Sequence, residues 1–267
     1  MKENMETDPR LNAINTLQEA VASIYKEKKL RSIAGINMEF MIGDRQVLAW
    51  FFTIVRKGQV KFNKVNFHEV FDDLAFSSDE ILYQTALLFL YAPHMNNPIK
   101  DGHFFHNRIV YPNHQNLPAK RFGMHSNSAF EKVYNFWDRI GDLIAIYFPE
   151  AFPPKRNIYF GTAIDAIPEK YHGSENYKWL KDFKEINYKE MNAKRNGVVH
   201  YLTNDTVFKY KHIKASSNKQ VLEELIAERD ALPSYFEKQI DFSLEGFIRT
   251  VQLLEEITAE DLKDVRR

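Results

Sequence analysis

Between Ser128 and Pro149 the chain sets Phe130, Val133, Trp137, Ile140, Ile144 and Tyr147 at alternating steps of three and four. That spacing puts all six on one side of an α-helix but on both faces of a strand. Ser128-Ala129-Phe130-Glu131 has capping-box spacing, and Pro149 stops the run. A helix with so broad an apolar stripe must bury it against other elements, and the rest of the chain supplies more helices.

Asp8-Pro9 is a helix start, followed by Leu11, Ile14, Leu17, Val21 and Ile24 and ending near the basic cluster Lys26 to Arg31. A second apolar helix covers about Arg45 to Arg56, and Val60 to Phe76 fits either extended or helical structure. Ser77-Ser78-Asp79-Glu80 reads as a capping box opening a helix that Pro93 ends. Gly173-Ser174 opens a helix to about Ile186, and Asn187-Tyr188-Lys189-Glu190 opens the next, to about Leu202. A short apolar segment lies between Ile158 and Ile167, and Thr206 to Lys214 reads as extended. Ser217 to Gln220 caps a helix that Pro233 breaks or kinks, and a last helix covers about Tyr235 to Ile257. The expected fold is all-α: five to eight helices and at most a short strand pair.

From Ala92 to Asn127 the chain is rich in Pro, Asn and His, which in a compact domain marks a boundary or a functional surface segment. The expected division is an N-terminal helical extension with a Pro/His-rich loop over 1–125 and a helical bundle over 126–260. Acidic and basic residues balance at 36 each, so net charge gives no global argument for nucleic acid or membrane. Absence of Cys excludes disulfides, thiolate metal sites and a Cys nucleophile, and fits a cytoplasmic location. The N-terminus is polar with no signal-peptide pattern, and the longest apolar run, Val47 to Val55, is too short for a bilayer.

The chemistry concentrates at Arg195-Asn196-Gly197-Val198-Val199-His200. Tyr188, Met191, Arg195, Val198 and Leu202 share one helical stripe, so Arg195 interrupts an otherwise apolar or aromatic face. A core-facing arginine needs a partner, and Asp138 and Asp142, one turn apart beside the Trp137 stripe, are the expected ones. His200 stands about 140° round an ideal helix from Arg195; a bend at Gly197 would bring the two together. A guanidinium grips two phosphate oxygens and keeps its charge, while an imidazole moves a proton near neutral pH. Together they suit metal-free cleavage of RNA by attack of a ribose 2′-hydroxyl. One Arg and one His make a thin site, which a second copy across a two-fold axis would complete.

Arg195-Asn196-x-x-x-His200 resembles the signature of the HEPN superfamily (higher eukaryotes and prokaryotes nucleotide-binding domain). The order also resembles it: a long helix with an acidic residue (Phe136-Trp137-Asp138-Arg139-Ile140-Gly141), the motif helix, then C-terminal helices. The resemblance covers about residues 126 to 260. It implies an all-helical bundle that dimerises with its motifs facing. It also implies a metal-independent ribonuclease of a toxin or defence system with an antitoxin or defence partner, or an inactive domain binding RNA, a nucleotide or a protein. Carried over, Arg195 binds the scissile phosphate, His200 is the general base or acid, and Asn196 supports it. Asp138 and Asp142 enter as supporting residues, and no cofactor or metal is expected.

Two other clusters compete. His94, His103, His106, His114 and His125 place five of the nine histidines near Asp101, and a metal-dependent hydrolase would use them. Against it, no HExxH helix is present, and a solvated loop is the plainer reading. Lys178-Trp179-Leu180-Lys181 and Phe208-Lys209-Tyr210-Lys211-His212 mix cations with aromatics, as an RNA groove or a solvated face does. Neither a phosphate loop nor a nucleophile elbow is present.

Overall fold

The computed structural model describes residues 8–33, 41–42, 44–58, 67–148, 151–152, 158–200 and 203–264, with backbone alone at 55–58, 67, 197–200, 204 and 260–264. Among them are ten α-helices and two small antiparallel hairpins, so the all-α class holds, with more helices than the five to eight expected and a second strand pair. The helices are α1 (Pro9–Lys28), α2 (Val47–Gly58), α3 (Phe67–Tyr91), α4 (Leu117–Tyr147), α5 (Phe160–Asp165) and α6 (Glu175–Phe183). α7 (Lys189–His200), α8 (Asn204–Lys214), α9 (Lys219–Asp230) and α10 (Leu232–Asp264) follow. The hairpins are β1 (Met41–Ile42) with β2 (Arg45–Gln46), and β3 (His103–Phe105) with β4 (Arg108–Val110).

α4 is the central element. Along it, the stripe from Phe130 to Tyr147 is buried and packs against α3, α5, α7 and α10. Trp137 stacks on Phe183 of α6 at 4.0 Å between ring centroids, and its far edge meets Gly246 of α10. A Cβ at Gly246 would stand 2.2 Å from the indole, so only glycine lets the two helices approach this closely. Gly141 plays the same part against the Phe160 backbone, 2.8 Å from where its Cβ would lie.

Several sequence expectations shift. α4 begins at Leu117, where the Asn116 side chain accepts from the Ala119 N–H at 3.0 Å and Pro118 occupies the first turn. The capping-box spacing at Ser128 therefore falls inside a helix. The same holds in α3: Ser77 and Ser78 are buried mid-helix, and the Ser78 hydroxyl accepts instead from the Ile33 N–H at 3.1 Å. The boundary drawn at 125/126 lies within α4, which crosses it uninterrupted, and the main core cluster takes residues from both sides. Thr206 to Lys214 is not extended but helical, as α8, where Phe208 and His212 sit one turn apart and meet edge to face. Pro233 breaks nothing; it lies in the first turn of α10, where a missing N–H costs no bond.

The Pro/His-rich stretch is mostly short local structure. Two 3₁₀ turns lead into the β3–β4 hairpin, whose turn residues His106 and Asn107 both have positive φ, at 43° and 62°. That is what a two-residue hairpin turn of this hand demands.

Candidate active site

The link between α6 and α7 decides which way Arg195 faces. Instead of ending at Ile186 and restarting at Asn187, the chain passes through one π-helical turn, Lys184–Tyr188. On an α-helix, residues five apart diverge by about 140°; the wider π turn brings them into line. Phe183 and Tyr188 are thus both buried, and Met191 follows on the same face. Arg195 comes one turn later, half-buried.

α7 runs antiparallel to α4, and their shared face is aromatic. The Tyr188 hydroxyl donates to Asp138 Oδ1 at 3.4 Å, and the Phe160 N–H donates to the same oxygen at 3.4 Å. The Tyr134 side chain bonds to both Tyr188 and Asp138, and its ring lies 6.2 Å from that of Tyr188. Burial pushes the Asp138 carboxyl up to about 6, against the opposing pull of these donors. Burial likewise raises both phenols, so they remain protonated donors.

Arg195 does not reach either aspartate. Its guanidinium carbon lies over the Tyr134 ring at 4.2 Å, a cation–π contact, and Nη1 donates to Asn196 Oδ1 at 3.2 Å. Its Nε is buried with no partner, and among the described residues no carboxylate forms an ion pair with Arg195. The expected Arg195–Asp pairing is corrected accordingly, for a geometric reason. Seven residues separate Tyr188 from Arg195, about 10 Å along α7, and the antiparallel path leads back along α4 toward Tyr134. Asp142 lies one turn beyond Asp138 in the opposite direction. It pairs instead with Arg139, which also reaches Asp73 of α3 at 2.6 Å.

The backbone is helical through Gly197 to His200, while the His200 side chain, like those of Val198 and Leu202, lies outside the described residues. Convergence of Arg195 and His200 therefore stays an expectation. Asn196 accepts a hydrogen bond from Arg195, a contact that the sequence does not specify. Tyr134 and Tyr188 are the residues sequence reasoning missed as site members. Tyr188 lies on the stripe that carries Arg195; Tyr134 lies one turn before Asp138, beside the Phe130–Tyr147 stripe rather than on it.

The competing clusters disperse. His114 pairs with Asp101 at 3.2 Å, His125 Nδ1 meets Gln84 Oε1 at 2.8 Å, and His103 and His106 are exposed on the hairpin. Among the described residues no three His, Asp or Glu side chains stand close enough to share a metal ion. On α6, Trp179 stacks on Phe183 while Lys178 and Lys181 pair with Glu175 and Asp165, a solvated face with one anchored ring. On α8, Lys209 and Tyr210 are exposed, and His212 is buried with its Nε2 facing the Tyr111 carbonyl at 3.1 Å. Among the described residues no helix is long and apolar enough to cross a membrane.

A search of curated proteins and a search of solved structures each give no match. The family model described as HEPN_Cthe2314-like HEPN matches residues 82–259, from within α3 to near the end of α10. An all-helical bundle built round α4, and a family match spanning well over half the sequence, lead to one conclusion: this chain belongs to the HEPN_Cthe2314-like HEPN family, within the HEPN superfamily.

Proposed function

We propose that the protein is a metal-independent endoribonuclease, with Arg195, Asn196 and His200 as its reacting set. The observation that carries this is the state of Arg195. It is a half-buried guanidinium, seated on Tyr134 and steadied by Asn196, with no carboxylate to neutralise it among the described residues. A purely structural buried arginine is normally paired, because an unpaired one is costly. A phosphodiester would supply the missing acceptors.

In this reading Arg195 holds the non-bridging oxygens of the scissile phosphate. His200 removes the proton from the adjacent 2′-hydroxyl. The 2′-oxygen attacks phosphorus, the bond to the 5′-oxygen breaks, and that oxygen takes a proton. The products are a 2′,3′-cyclic phosphate and a 5′-hydroxyl. A second copy of the chain would bring a second imidazole to protonate the leaving oxygen, hence a homodimer. A toxin or defence role, with an antitoxin or similar partner, is part of the proposal and is supported by the superfamily resemblance rather than by these residues.

The test is cleavage of single-stranded RNA in excess EDTA. Cleavage that leaves a cyclic phosphate and is lost in both His200→Ala and Arg195→Ala supports the proposal. No cleavage of any RNA by a folded dimer overturns it, and leaves a domain that binds RNA, a nucleotide or a protein without chemistry.

A further inference from the structure

One residue before Arg195, Lys194 turns to a different part of the molecule. There the N-terminal half of α4, α8, α9 and the start of α10 enclose a cavity of about 350 Å³. Its walls are largely apolar and carry the rings of Phe122, Phe130, Phe208 and Tyr235. Lys194, Lys211 and Arg229 also line it, with Glu228 beside them. Each cation pairs at the rim with a carboxylate, of Glu190, Glu228 and Asp230 respectively, which an incoming phosphate would have to displace or share. The Lys194 ammonium stands 4.3 Å from the Tyr235 ring, and the Arg229 guanidinium 5.3 Å from the Phe208 ring. Polar edges are present as well. Asp205 accepts from the Gln115 amide at 2.6 Å, and the Tyr235 hydroxyl is buried without a partner among the described residues.

We propose that this cavity takes a single unstacked nucleobase of the RNA strand, with Lys194, Lys211 and Arg229 meeting the flanking phosphates. The inference rests on the reading of this protein as one that acts on RNA, and names how it would hold the strand. Flat aromatic walls suit a ring, which can stack regardless of base identity. Polar groups among those walls suit a ring with hydrogen-bonding edges, and cations suit the anionic backbone on either side. A fatty acid suits apolar walls and cations, but has no ring to stack and makes no use of the amide and carboxylate within. An aromatic side chain of a partner protein makes no use of three cations. At 350 Å³ the volume lies at the small end of ligand sites, enough for one base and part of its sugar. Lys194 and Arg195 are consecutive on α7, so a strand with one base here would run past the proposed reacting set.

The full chain is titrated calorimetrically with each of the four ribonucleoside 5′-monophosphates and with inorganic phosphate. At least one nucleotide is expected to bind about tenfold or more tightly than phosphate alone, the margin that one stacked base supplies. Val207→Trp, which fills the cavity from α8, is expected to weaken that binding by about tenfold or more, as is Lys211→Glu. Lys211 is exposed, so its variant serves if the tryptophan variant unfolds. Nucleotides that bind no better than phosphate, or whose binding is unchanged in the folded variants, overturn the proposal. The two readings fail separately. Nucleotide binding here without any RNA cleavage keeps the pocket and removes the nuclease. Cleavage that is insensitive to both variants, with no nucleotide binding, keeps the nuclease and removes the pocket.

Discussion

In its C-terminal half α4 buries Trp137 against Gly246 so closely that a single added carbon would stand 2.2 Å from the indole. In its N-terminal half the same helix borders a cavity of about 350 Å³ with three cations and two carboxylates in its lining. One end is packed at the limit of contact and the other leaves room beside charge. Stability alone favours the first arrangement everywhere, since each unfilled space forfeits dispersion contacts. The difference separates what holds the bundle together from what it is shaped to meet. Arg195 stands where the two kinds of environment adjoin, seated on a core ring and without a carboxylate partner among the described residues.

The largest effect expected is on chemistry rather than stability. Arg195→Ala should lower RNA cleavage by about 100-fold or more, on the scale of losing one preorganised charge at a reacting phosphate. Its unfolding free energy should change by less than about 1 kcal/mol, because a cation–π contact is lost while an unpaired buried donor is relieved. Cleavage assays beside urea denaturation check this; a large stability loss would make Arg195 a strut. Gly246→Ala should behave in the opposite way, costing about 1–3 kcal/mol through overpacking against Trp137. Val207→Ile, adding a carbon at the cavity end, should stay within about 0.5 kcal/mol. If the two cost the same in denaturant melts, the contrast between the halves of α4 is lost.

Asp138 gives a pH-dependent test. Its folded carboxyl is raised to about 6 from an ordinary 3.8, so the folded state holds this proton more tightly than the unfolded state does. Its contribution is fully present below about pH 4 and is lost as pH rises through 6. Asp138→Asn has no such proton to lose. Its stability relative to the parent should therefore climb between pH 4 and 6 and level off above. A flat difference across parallel melts from pH 4 to 7 would mean that the carboxyl is not buried as described. A small effect is expected at Asp142 too. Its partner Arg139 is substantially exposed, so Asp142→Ala should cost below about 1 kcal/mol and leave cleavage within about twofold.

Much of the bundle was legible in the chain. The stripe from Phe130 to Tyr147, the Asp8-Pro9 start and the basic end of α1 all declare themselves locally. Capping-box spacing misled at Ser77 and Ser128, since a serine within a helix satisfies its hydroxyl on a carbonyl or another segment's amide as readily as at an N-terminus. The β-branched and aromatic residues of α8 misled for a related reason: their strand preference depends on context, and here the Thr203 side chain caps a helix by accepting from the Thr206 N–H.

The site divides along the same line. Sequence alone brought out Arg195, Asn196 and His200, because three functional groups within six residues of one helix are a local fact. It also required that Arg195 meet something other than a greasy wall. What it met was settled by two distant events. The π turn at Lys184–Tyr188 rotated the face of α7, and antiparallel packing set Arg195 against Tyr134 rather than beside Asp138 or Asp142. Periodicity fixes which residues share a side of one helix. Only the packing of one helix on another fixes the residues that side confronts, because a shift of a single turn exchanges every partner.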